Sequence, residues 1–286
     1  MNGATEAKEP IPISPQRAGM LVFFSILVVL IFGTLLRAMA ESLWGPLQWN
    51  SPFLAIELLI VLPAVWAVRR HRLPFASAFR FHPVPLSTVA AAVLLGAGLA
   101  VIGDQLDRII QSWFSVPQEY IDAIESLFRD APPGDFYMML VLATLGAGIC
   151  EEMLFRGFFQ KILEEHTRVW MAIFFPAALF GLIHFLPWMV LQITLMGTVL
   201  GLLAWRTQSV WPSVVVHATN NFLAVITIRW QSSEWDRLYL KGDFVNPPVV
   251  LFAIALFIFS LKFIWKRHPR NGGQNHRPWS DSERGT

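Results

Sequence analysis

The chain has 286 residues, of which 55% are hydrophobic and only 15% charged, with a formal net charge of +2. That is too apolar for an ordinary soluble domain, and basic residues spread over loops and tail, with no basic face, argue against nucleic acid as a partner. The single cysteine, Cys150, removes any disulfide framework or Cys-based zinc ribbon and reads as a small core residue in an apolar run.

Eight apolar stretches, each close to the roughly 20 residues that cross a hydrocarbon core about 30 Å thick, follow one another along the chain. They cover 19–40, 52–68, 87–103, 136–159, 169–185, 188–205, 210–228 and 248–265. Runs this long and unalternating must satisfy their backbone groups as helices, which excludes a barrel. The predicted fold class is therefore all-α: a polytopic membrane protein, a bundle of about eight transmembrane helices.

The first stretch ends in Ala38-Met39-Ala40, like a signal-peptide cleavage site, but its run is longer than a signal's and Arg37 interrupts it. It reads as an uncleaved span. The second carries Glu57 with no partner assigned, as a structural hydrogen bond or a cavity wall. Between the third and fourth lies an extramembrane segment, 104–135. There Leu106, Ile109, Ile110, Trp113 and Phe114, then Tyr120, Ile121, Ile124, Leu127 and Phe128, recur at helical spacing. Two amphipathic surface helices are expected there, as a cover for the helix ends or a gate for substrate. The domain reading is a cytoplasmic tail over 1–18, a membrane domain over 19–266 with a core at 136–228, and a disordered polar tail over 267–286. With the N-terminus inside, 16 of the 22 Lys and Arg face the cytoplasm, among them Lys8, Arg80, Arg156, Lys161, Arg270, Arg277 and Arg284. Both termini are then cytoplasmic, in what reads as a bacterial cytoplasmic membrane.

Ionisable groups cost about 2.5 to 3.5 kcal/mol each at the centre of a membrane helix, so their positions need reasons. The fourth stretch contains Glu151 and Glu152, with Arg156 one turn beyond Glu152 and able to pair with it. The fifth ends in Phe180-Gly181-Leu182-Ile183-His184, and the seventh carries His217 and Asn221 four apart on one face. Acid, imidazole and amide groups on separate helices are the parts that hydrolyse an amide: a carboxylate to deprotonate water, a histidine to orient it or move a proton, and donors for the oxyanion. No serine elbow, His-Glu-x-x-His motif or phosphate loop competes with them.

Taken in order, Glu151-Glu152-x-x-x-Arg156, Phe180-x-x-x-His184 and His217-x-x-x-Asn221 resemble the three motifs of the CPBP (CAAX protease and bacteriocin-processing, Abi) family of intramembrane proteases. The resemblance covers 136–228. It implies that Glu151 and His184 activate water, that Arg156 holds Glu152 in a supporting place, and that His217 and Asn221 stabilise the oxyanion. It also implies a membrane-anchored or lipid-modified protein or peptide substrate in the bilayer. No cofactor is required on this reading. A zinc ion on Glu151, His184 and His217 is the second choice. A non-catalytic scaffold or bacteriocin-immunity protein on the same fold is the alternative from another class, followed by a proton-coupled transporter.

One geometric demand accompanies this reading. In straight, perpendicular helices Glu151 and His184 would differ in depth by roughly 14 Å at 1.5 Å per residue. They meet only if the fourth helix is long and tilted or the turn at 185–187 stops short.

Overall fold

The structure, a computed structural model, describes residues 13–45, 47 and 50–269. Eleven helices and one short hairpin make up the described chain. Ser14 caps α1 (Pro15–Trp44) through its Oγ, which accepts from the Arg17 amide, and Pro15 at the first helical position supplies a preset φ. Helix α2 (Ser51–Arg70) follows, with a 3-10 stretch over Ala55–Val61. The amides of Asn50 and Ser51 donate to the fully buried carboxylate of Asp135, 2.8 and 3.0 Å away. An anion at a helix N-terminus is favourable, and here it ties the start of α2 to the start of α6.

The one-turn α3 (Phe75–Ala78) precedes α4 (Leu86–Gln111) and the amphipathic α5 (Gln118–Arg129). Helix α6 (Pro133–His166) is continuous over 34 residues, about 51 Å. It is followed by α7 (Val169–Leu182), α8 (Val190–Thr207), α9 (Trp211–Trp230), α10 (Ser233–Tyr239) and α11 (Pro247–Arg267). Between α10 and α11 stands the hairpin of β1 (Leu240–Lys241) and β2 (Phe244–Val245), paired antiparallel with Leu240 opposite Val245.

The fold is an all-α polytopic membrane protein. All eight apolar stretches are helical, and six helices are long and apolar enough to cross a bilayer: α1, α2, α4, α6, α8 and α11. The other two differ from expectation for separate reasons. Helix α7 is only 14 residues long, and α9, though 20 residues, carries His217, Thr219, Asn220 and Asn221 along its middle. The expected pair of surface helices in 104–135 is also revised. Its first half, through Gln111, is the continuation of α4, and only α5 stands as a separate amphipathic helix. The proposed tails over 1–18 and 267–286 fall largely outside the described residues, as do Lys8, Arg270, Arg277 and Arg284.

Two π-helical segments, Leu142–Gly146 and Met153–Phe159, interrupt α6 and flank the regular turn Ala147–Glu152. Such widened turns are rare and concentrate at functional sites. The second is wrapped by the main core, in which Leu154, Phe155, Phe158 and Phe159 pack with Ala18 and Val22 of α1 and with Ala64 and Ala67 of α2. At Gly157 the backbone of Phe79 comes so close that a Cβ would lie 2.8 Å from its carbonyl oxygen, so only glycine admits the α3 turn against α6.

Candidate active site

Glu152 and Arg156 lie one turn apart on α6 and are both fully buried. Arg156 Nη1 donates to Glu152 Oε1 over 2.7 Å. The guanidinium is held from two more sides. Its Nη2 donates to the Gly197 carbonyl of α8 at 3.2 Å, and its plane lies 4.6 Å from the centre of the Phe180 ring of α7. A Cβ at position 197 would sit 2.9 Å from that nitrogen, so the glycine is what lets α8 approach.

From α9, His217 donates through Nδ1 to the same Glu152 oxygen at 3.0 Å, which leaves its Nε2 facing Glu151 Oε2 at 3.7 Å. His217 is 3% exposed and Glu151 16%, so the row Arg156, Glu152, His217, Glu151 runs from the closed interior to a partly open end. The second oxygen of Glu152 is buried without a hydrogen-bond partner among the described residues. Glu57, on the 3-10 stretch of α2 that packs against Ala147–Glu152, lies near enough to Glu151 for their charges to repel. That is the neighbour sequence reading could not name.

His184 sits just past the end of α7, where Phe185 takes a left-handed backbone with φ 54°. Its Nδ1 donates to the Phe180 carbonyl at 2.7 Å, so Nε2 is the nitrogen left to accept. No hydrogen bond or ion pair joins it to Glu151; the two histidines are linked by Phe180, whose ring meets His184 at 4.9 Å and His217 at 5.8 Å, edge to face. Helix α6 exceeds the bilayer thickness and α7 ends after 14 residues, both in the direction that the depth argument requires.

Asn221 donates to the carbonyl of Ala143, 2.9 Å away inside the first π segment, and so satisfies an acceptor that the irregular turn exposes. It shares a face with His217 yet reaches a different part of α6. Among the described residues no three His, Cys, Asp or Glu side chains gather as a metal-ligand set; Glu151 and His217 are neighbours, and His184 stands apart from them. Cys150 is a half-buried free thiol in the turn that carries Glu151.

Sequence reasoning missed a second buried cluster two turns along α6. Arg80, left-handed at φ 55° and 2% exposed, pairs with Glu164 and donates from Nη1 to the Arg156 carbonyl at 3.3 Å. Gln160 donates to the other Glu164 oxygen at 2.8 Å and to the Gly201 carbonyl at 2.9 Å. Lys161 donates to the Ser77 carbonyl at 2.6 Å. The signal was present as polar residues every four positions, Glu152, Arg156, Gln160 and Glu164, which mark one face of a helix.

Fold and site together define a helical membrane protein with a buried Glu, Arg and His cluster shared by α6, α8 and α9. Residues 133–223, from the first turn of α6 to just past Asn221, match the family model described as Type II CAAX prenyl endopeptidase Rce1-like. The match agrees with the resemblance of the three motifs to the CPBP family and supports a CAAX-type intramembrane protease, a peptidase, as the general class. No curated protein and no solved structure matches the chain.

Proposed function

We propose that this protein is an intramembrane endopeptidase that cleaves a peptide bond in a membrane-anchored or lipid-modified protein substrate, using water activated by Glu151 and His184. The observation that carries this reading is the continuous row from Arg156 through Glu152 and His217 to Glu151. Arg156 fixes Glu152, Glu152 fixes the Nδ1 proton of His217, and the other nitrogen of that imidazole, Nε2, then faces the partly exposed Glu151.

In the proposed reaction Glu151 takes a proton from water as the oxygen attacks the scissile carbonyl, and returns it to the leaving amine. His184 offers Nε2 as an acceptor to aim that water, because Nδ1 is committed to Phe180. When His217 carries both protons, its Nε2–H can donate to the oxyanion; with Glu151 then protonated, the charges of Arg156, Glu152, His217 and the oxyanion balance, which matters in a low dielectric. Asn221 keeps a second amide hydrogen beside its bond to Ala143 and can serve the same oxyanion. No metal enters any step.

The test is comparison of membrane-protein termini in cells carrying the wild type, Glu151→Gln or His184→Ala. A processed terminus present with the wild type and missing with both variants, at equal protein levels, is the expected result. Identical processing by either variant would sink the reading.

A further inference from the structure

Two grooves meet at Trp66 near the end of α2: one of 530 Å³ lined by α2 alone, and one of 330 Å³ between the start of α1 and the end of α2. They lie apart from the cluster of Glu151, Glu152 and His217. On α2, Leu62, Val65 and Trp66 form an apolar stripe that continues one turn on into Arg69 and Arg70. On α1, Met20 and Phe24 form a matching stripe that ends one turn earlier in Arg17. Chain direction brings the guanidinium ends together, since Arg17 opens α1 and Arg69 and Arg70 close α2. His71 lines the groove with Arg17.

No acidic residue lines either groove, and the three arginines are exposed and form no ion pair with a carboxylate among the described residues. Two adjoining apolar grooves that share Trp66 and end in guanidiniums, Arg17 in one and Arg69 and Arg70 in the other, match an acyl chain below an anionic headgroup. Arg17, Arg69 and Arg70 end helices of spanning length, which places them where a bilayer keeps its phosphates.

We infer that the paired grooves about Trp66 form a binding site for an anionic phospholipid, with the acyl chain along Phe24 and Trp66 and the phosphate drawn to Arg17, Arg69 and Arg70. The site backs onto the core around the catalytic helix, because Ala18 and Val22 on α1 and Ala64 and Ala67 on α2 pack with Phe158 and Phe159 of α6. This inference stands apart from the proposed peptidase chemistry.

The experiment is native mass spectrometry of the full chain extracted from vesicles of phosphatidylglycerol or of phosphatidylcholine. The wild type should keep one phosphatidylglycerol through detergent washing and release phosphatidylcholine. Arg17→Gln/Arg69→Gln/Arg70→Gln should lower that retention about tenfold or more, from the strength of basic residues toward anionic lipid, whereas the triple Arg→Lys variant should keep most of it. Should the Gln variant fail to fold, Arg70→Gln alone supplies the readout. Equal retention of the two lipids by the wild type, or undiminished retention by a folded Gln variant, overturns the site. The rival occupant is the chain's own segment 1–12, with Glu6 and Glu9. High-yield disulfide formation in Glu9→Cys/Trp66→Cys, built on Cys150→Ser, in phosphatidylglycerol vesicles would place that segment in the groove and also overturn the inference.

Discussion

Helix α6 carries two buried ion pairs on one face, and they are finished differently. At Glu164 both oxygens are used, one by Arg80 and one by Gln160. At Glu152 Arg156 and His217 crowd one oxygen and the other has no partner among the described residues. A carboxylate with both oxygens engaged adds rigidity, although Arg80 Nε and Gln160 Oε1 around it are buried without a partner among the described residues. An unsaturated one, with an imidazole pointing onward to a partly exposed glutamate, retains capacity for chemistry at the expense of stability. The contrast also separates the two arginines: Arg156 belongs to the row proposed to react, while Arg80 grips the carbonyl of Arg156 and the carboxylate of Glu164 from outside the helix.

Replacing each pair by apolar residues should break the comparison most visibly. Glu152→Leu/Arg156→Met is expected to fold and to lose cleavage of the processed substrate by about a thousandfold or more, since the support for His217 is gone. Arg80→Met/Glu164→Leu should keep most cleavage and be neutral or up to about 4 kcal/mol more stable, as buried pairs exchanged for hydrophobes often are. Arg80→Ala alone should cost about 3 to 5 kcal/mol, because Glu164 is left charged and buried. Thermal unfolding in detergent, run beside the cleavage assay, checks all three. If the Arg80/Glu164 exchange abolishes cleavage as fully as the Glu152/Arg156 exchange, the two pairs do not differ as argued.

A smaller effect is expected at Glu57. Glu57→Gln removes the charge that repels Glu151 and keeps the shape of the side chain. Cleavage should change by a few fold, with the pH profile of kcat displaced and KM nearly constant. A profile superimposable on the wild type would show that Glu57 has no part in tuning Glu151.

Much of this was legible in the sequence because membrane segments are apolar by necessity. The eight stretches, the i, i+4 relation of Glu152 and Arg156, and the segregation of His184 and His217 onto separate helices all follow from period and cost. Local rules reached no further. His217 and Asn221 share a helix face, yet one reaches Glu152 and the other the Ala143 carbonyl, because α6 changes its pitch between those points. The π segments have no composition of their own. Arg80 and Lys161 entered only as loop charges in the positive-inside count, although their partners lie 84 residues away along the chain and bury both. A charge count cannot tell a solvated cation from one held inside by a distant carboxylate.

The smallest expected effect is that of metal removal, and it tests the open end of the site. A catalytic zinc takes three protein ligands and leaves a fourth position for water. Glu151 Oε2 and His217 Nε2 are near neighbours, but His217 is already bound through Nδ1 to Glu152, and His184 makes its contacts with Phe180. Drawing His184 into a three-ligand set would require the turn at Phe185 to move toward α9. Dialysis of the purified protein against a strong chelator is therefore expected to leave cleavage within about twofold of the untreated enzyme, a loss far below what removal of a catalytic ion produces. Loss of activity restored by stoichiometric zinc, and absent in His217→Ala, would instead assign Glu151, His184 and His217 to a metal and turn Glu152 and Arg156 into the support of one of its ligands.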